Sequence, residues 1–118
     1  MNANNHHGFI SCLPALARLS VYRKALEVAQ LVSALPASAS LRDQMLRASE
    51  SIVLNIAEGA GEWLQPAKRR YFTIARGSTF ELGSAIDLVR LRAPEAACDD
   101  VVARLSEVER MLTALVWR

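Results

Sequence analysis

Five polar side chains recur along one segment of this chain: Gln44, Arg47, Ser51, Asn55 and Glu58 follow one another at spacings of three, four, four and three residues. On a helix that spacing forms one continuous stripe, lying beside the apolar face rather than opposite it. A later segment offers a counterpart in Tyr71, Ser78 and Glu81, with Arg76 nearby. The groups are complementary in type. Arginine only donates hydrogen bonds, an ionised glutamate only accepts them, and asparagine does both. The chemistry they suit best is mutual: Arg47 and Arg76 pair with Glu58 and Glu81, Asn55 bridges, and two helices share a partly buried network. Such a network specifies register more than it adds stability. It predicts that Glu81→Gln lowers the melting temperature, whereas a purely solvated stripe would leave it unchanged.

The same residues make a poor catalyst. Glu58 and Glu81 could form a carboxylate pair between the two segments, but arginines are their more natural partners. Histidine occurs only at His6 and His7, so the commonest general base is missing from the rest of the chain. The two Glu-x-x-His pairs of a di-iron bundle are absent, as are the P-loop and Rossmann glycine patterns. Cys12 and Cys98 lie far apart with no CxxC pair, suggesting neither a zinc site nor a disulfide. They read as reduced thiols in a cytoplasmic protein. The expectation is therefore no enzyme, no catalytic or metal site, no cofactor and no small-molecule substrate.

Electrostatics gives a second candidate. Between Trp63 and Phe80 stand four bases and no acid: Lys68, Arg69, Arg70 and Arg76. Basic residues with interleaved aromatics suit a nucleic-acid strand, which makes Lys68, Arg69, Arg70 and Trp63 the candidate contacts. The net charge of +2 and a pI near 8.8 are compatible with such a partner without demanding it. The competing reading is a solvated helical face with Phe72 turned into the core.

Four amphipathic segments must position these groups. Val21, Ala25, Val28, Val32 and Leu35 give a first helix over about residues 19–35, with Ser20 as a candidate N-cap, closed by Pro36. A second, over about residues 41–58, is built on Met45, Ile52 and Ile56, with Ser40 as its N-cap and Gly59-Ala60-Gly61 at its C-terminus. The third begins near Pro66 and carries Phe72, Ala75, Thr79, Leu82, Ile86 and Val89 to about residue 91. Gly77 and Gly83 interrupt it, and each hints at a closely crossed neighbour. The fourth starts around Asp99 as cap and follows Val101, Leu105, Val108, Leu112 and Leu115. At 118 residues, 52% hydrophobic and 6% aromatic, with no alternating β-branched run, the chain reads as one all-α domain. The expected architecture is an antiparallel up-and-down four-helix bundle over residues 18–118. Residues 1–17 read as a poorly ordered leader. No Lys or Arg precedes their apolar stretch, which argues against a signal peptide. No apolar run is long enough for a membrane span.

The run from Gln44 to Gly59 resembles the signature of the four-helix-bundle proteins related to those encoded in intervening sequences of bacterial large-subunit ribosomal RNA genes. Tyr71 to Leu82 resembles that family's second signature, and Val21 to Ala25 its opening. Gln44, Arg47, Ser51, Asn55, Glu58, Arg76, Gly77, Ser78 and Glu81 are the matching positions. The resemblance implies an antiparallel four-helix bundle, assembly as a homopentamer, and no established enzymatic activity. The related accessory variability proteins of diversity-generating retroelements form a basic pentamer that binds a reverse transcriptase and nucleic acid. An oligomeric accessory protein associated with RNA or a ribonucleoprotein is thus the first expectation. A protein–protein scaffold with no nucleic-acid role is the alternative. The chain departs from the family in its short Pro36–Ser40 turn and at Trp63-Leu64-Gln65-Pro66.

Overall fold

The computed structural model describes residues 11–118, so His6, His7 and most of the expected leader lie outside the described residues. Of that leader, a single helical turn is seen, α1 (Pro14–Ala17). It is followed by α2 (Ser20–Val32), α3 (Ala39–Gly61), α4 (Gln65–Arg92) and α5 (Asp99–Val116). The described chain is all-α and its helices pack as a bundle around one core. The four long helices coincide with the four apolar periodicities.

Their ends follow local chemistry. Ser38, two residues before the expected Ser40, caps α3, its Oγ accepting from Leu41 N at 3.2 Å. Leu19 rather than Ser20 is the N-cap of α2, and Cys98 rather than Asp99 that of α5; neither uses its side chain. Asp99 and Asp100 then occupy the first turn of α5, where the helix dipole favours acids. Pro66 sits in the first turn of α4, where a missing N–H costs nothing.

The core takes one face from each helix: Val21, Ala25, Val28 and Val32 from α2, Met45, Ile52 and Ile56 from α3, Phe72, Leu82 and Ile86 from α4, and Leu105, Val108 and Leu112 from α5. The two buried hydroxyls are satisfied locally, Thr79 by Ala75 O and Ser49 by Leu46 O, as burial requires. Each long helix contacts two others, α2 with α3 and α5, and α4 with α3 and α5; α3 and α4 share the longest seam.

Close approach occurs at Gly59, not at Gly77 or Gly83. A Cβ on Gly59 would lie 2.6 Å from the Phe72 ring, whereas one on Gly83 would meet only Leu105 at 3.8 Å and one on Gly77 nothing within 4 Å. The Gly59 position that reads as a helix stop is therefore an interior contact, and α3 continues through Gly61.

Candidate interaction surface

The α3 stripe lies along the seam with α4, but its network is smaller than its composition suggests. Ser51 Oγ and Ser78 Oγ meet at 2.7 Å across the seam. Asn55 Nδ2 donates to Ser51 O at 2.8 Å and to Ser51 Oγ at 3.2 Å. Among the described residues, these three half-buried side chains are the whole of the network that joins the stripe to its counterpart on α4. The expected Arg–Glu pairs are not made. Arg47 pairs with Asp43 one turn earlier on its own helix, in the open. Gln44, Glu58 and Glu81 are exposed, and neither glutamate has an ion pair among the described residues. The physical reason is angular: Ser51 and Asn55 point toward α4, whereas Arg47, Glu58 and Glu81 lie further round, on the side facing away from the core. With Glu81 unpaired, Glu81→Gln is now expected to leave the melting temperature of the separated chain unchanged.

Arg76 belongs to a different seam. Its Nε donates to Thr113 Oγ1 at 2.8 Å, that hydroxyl donates to Glu109 Oε2 at 2.7 Å, and the guanidinium reaches the same carboxylate at 3.9 Å. It also stacks 4.9 Å from the centre of the half-exposed Phe80 ring, a favourable cation–π geometry. Arg76 thus ties α4 to α5. Glu109 and Thr113, one turn apart on the flank of the α5 apolar seam, are the partners that the sequence reading passed over. Below this clasp an open groove of about 490 Å³ runs between α4 and α5, past Thr79, Gly83, Val102 and Leu105.

A third polar seam joins α2 to α5. Arg104 bonds Glu27 at 2.8 Å and Glu107 at 2.9 Å, and Lys24 approaches Glu107 at 3.5 Å. Burial pushes the Glu107 carboxyl up, but the hydrogen bond and charge of Arg104 together with Lys24 outweigh it, so it lies below its ordinary 4.5. Arg104 is held more firmly charged, first by its hydrogen bond to Glu107.

The basic cluster is divided by role. Lys68 Nζ donates to Gly59 O at 3.1 Å and Ala60 O at 3.2 Å, at the C-terminus of α3. Arg69 donates from Nε to Val116 O at 3.0 Å and from Nη2 to Arg118 O at 3.1 Å, at the end of α5. Both cations satisfy terminal carbonyls where the helix dipoles favour positive charge. Arg70 is exposed and makes no such bond among the described residues. Trp63 is 94% exposed and Trp117 81% exposed. Arg69, bonded on both sides of Trp117, places both indoles at one end of the bundle. Of the four candidate nucleic-acid contacts, two are therefore engaged in holding helix ends, and Trp63 and Arg70 remain open.

Among the described residues no three His, Cys, Asp or Glu side chains gather as metal ligands, and no helix is long and apolar enough to cross a membrane. A family model described as 23S rRNA-intervening sequence protein matches residues 17–114, nearly the whole bundle. No curated protein matches the chain.

Proposed function

Because the chain belongs to the 23S rRNA-intervening sequence protein family, we propose that it is a non-catalytic interaction module that works as a homo-oligomer. The observation that carries this is the outward face of α3 and α4. There the family-like positions Arg47, Glu58 and Glu81 stand exposed beside Leu54, 63% exposed, and Ile74, 42% exposed. Both signs of charge around an apolar middle suit a protein surface better than bulk water or a phosphate backbone. An up-and-down antiparallel arrangement is part of the same proposal. Ser51 meets Ser78 while Gly59 meets Phe72, and Lys24 meets Glu107 while Glu27 meets Arg104, so contacts advance along one helix as they retreat along its neighbour. The sequence resemblance implies five copies. A reducing cytoplasm fits the two free thiols, Cys12 exposed and Cys98 buried.

Association with RNA is the second reading, favoured by Trp63 and Trp117 at one end with Arg70 close in sequence to the first. Exposed indoles stack on unpaired bases, each worth about 1–3 kcal/mol. Titration of structured RNA at low and high salt separates the two readings. Binding at low salt that weakens steeply as salt rises supports RNA association, because phosphate contacts release counterions. Absence of binding at low salt leaves the module as a protein scaffold. Neutralising Arg70 alone is the informative variant, since changing Lys68 or Arg69 also releases helix ends.

A further inference from the structure

The two ends of the bundle differ in charge and in apolar content. Four helix termini gather at one of them. Lys68 and Arg69, at the start of α4, bond carbonyls at the C-termini of α3 and α5. Lys24 meets Glu107 while Glu27 meets Arg104, so α2 begins where α5 finishes. The short α1 is held at the same end, Arg23 Nη1 donating to Ala17 O at 2.7 Å.

Residues 11–23, 58–72 and 113–118 make up this end. They carry six cations, Arg18, Arg23, Lys68, Arg69, Arg70 and Arg118, against two acids, Glu58 and Glu62. The cations that bond carbonyls keep their charge. The opposite end, residues 33–43 and 88–102, has the reverse balance: Arg42, Arg90 and Arg92 stand against the four acids Asp43, Glu95, Asp99 and Asp100. The small net charge of +2 therefore hides a strong polarity along the bundle.

The apolar content follows the same polarity. Both tryptophans of the chain, Trp63 and Trp117, lie at the basic end and are almost wholly exposed, and Leu64 is 71% exposed beside the first. Trp63 and Leu64 belong to the link between α3 and α4, and Trp117 follows α5. They stand at the tip of the bundle, leaving its flanks to other copies. A cluster of large apolar side chains left in water and rimmed by charge marks an interaction surface.

The composition of the tip selects the partner. Indoles can stack on unpaired bases, but an exposed leucine has no aromatic face to offer. A bilayer surface takes both. Tryptophan settles at the headgroup level, aliphatic side chains enter the acyl boundary, and cations lie among anionic headgroups. Among the described residues no helix is long and apolar enough to cross a membrane, so contact is confined to the surface. We infer that the basic end of this bundle docks on an anionic lipid bilayer, with Trp63, Leu64 and Trp117 inserted at the headgroup level and Arg70 and Arg118 among the phosphates. This goes beyond the proposed self-association, because the whole patch belongs to one chain. A ring of copies holds this end of every chain at one level, so weak single contacts gain avidity.

The test is co-sedimentation of the full chain with vesicles of phosphatidylcholine alone, and of phosphatidylcholine with about 30% phosphatidylglycerol, with tryptophan emission recorded in parallel. Wild type should bind the anionic vesicles at least about tenfold more tightly than the neutral ones, because each Lys or Arg near the surface adds about fivefold. Its emission should shift to the blue. W63S and W117S should each weaken binding by about tenfold, and R70E by about as much. R92E makes the same charge change at the opposite end and should leave binding within about twofold of wild type. Circular dichroism checks that each variant keeps its helicity. Failure of wild type to bind anionic vesicles overturns the inference. So does binding that both tryptophan variants retain in full, which marks adsorption by charge alone, or equal loss in R70E and R92E. A chain that ignores vesicles but binds RNA through Trp63 assigns the tip to RNA and overturns it too. Light scattering on the same samples keeps the two readings apart: a single chain that still binds vesicles through its tryptophans supports the lipid surface while removing self-association.

Discussion

Replacing Gly59 by alanine measures how tightly α3 and α4 approach. The added methyl would lie 2.6 Å from Phe72 Cε1, 2.8 Å from Cδ1 and 3.0 Å from Cζ. The obstacle is a rigid ring only 6% exposed, so it cannot swing into solvent without opening the core. Overpacking of this kind costs about 1–3 kcal/mol. Alanine also gains up to ~1 kcal/mol of helix propensity over glycine, which would mask part of the loss. Gly77→Ala provides the control, since it has the same chemical change in a helix with no atom within 4 Å. The difference between the two variants isolates the clash, because the propensity gain is largely common to both. Urea unfolding is the assay, at protein concentrations low enough that association does not add to stability. With a slope of about 1–3 kcal/mol/M, the two midpoints should separate by about 1 M, G77A above wild type and G59A clearly below G77A. Phe72→Leu added to G59A should recover part of the loss. Equal midpoints for the two alanine variants would refute the close contact.

Three further outcomes follow from the polar seams. Arg69→Gln should lower stability by about 0.5–1 kcal/mol and raise hydrogen exchange in the last turn of α5, where Val116 O loses its donor; Arg70→Gln should do neither. Glu107 has a folded pKa below its ordinary value, so its contribution is present above the unfolded pKa and is lost as pH falls through the folded one. Melting temperature against pH should therefore fall less steeply for Glu107→Gln than for wild type between about pH 5 and pH 3. Thr113→Val should loosen Arg76 and leave the Glu109 carboxylate without its hydroxyl donor, lowering stability by about 1 kcal/mol; an unchanged unfolding midpoint would remove the Arg76 clasp from the account.

The helices were legible because their signals are local. Pro36 and Pro66 and apolar residues at spacings of three and four act within a turn or two of their own position, whereas the expected caps Ser20 and Ser40 give way to Leu19 and Ser38. The core faces of all four long helices follow from them. What could not be read was the choice of partner. Lys68 and Arg69 look like a phosphate-binding cluster in sequence, but the carbonyls they satisfy belong to the ends of two other helices, brought there only by the fold. Arg76 is two residues from Ser78, yet about 160° away on the helix, so it faces α5 rather than α3. Gly59 carries a helix-stop signal that its contact with Phe72 overrides. The outward position of Glu58 and Glu81 was implicit in the spacing, but which flank of an amphipathic helix meets a neighbour depends on the order in which helices surround the core. That order is set by packing and not by any one segment.

The central claim is that this bundle is a part of an assembly of its own copies. Light scattering on the wild-type chain across a wide concentration range tests it most directly. The expected mass is a multiple of 13.0 kDa, five chains by the family resemblance, that falls only on dilution. A mass of 13.0 kDa at every concentration would contradict it.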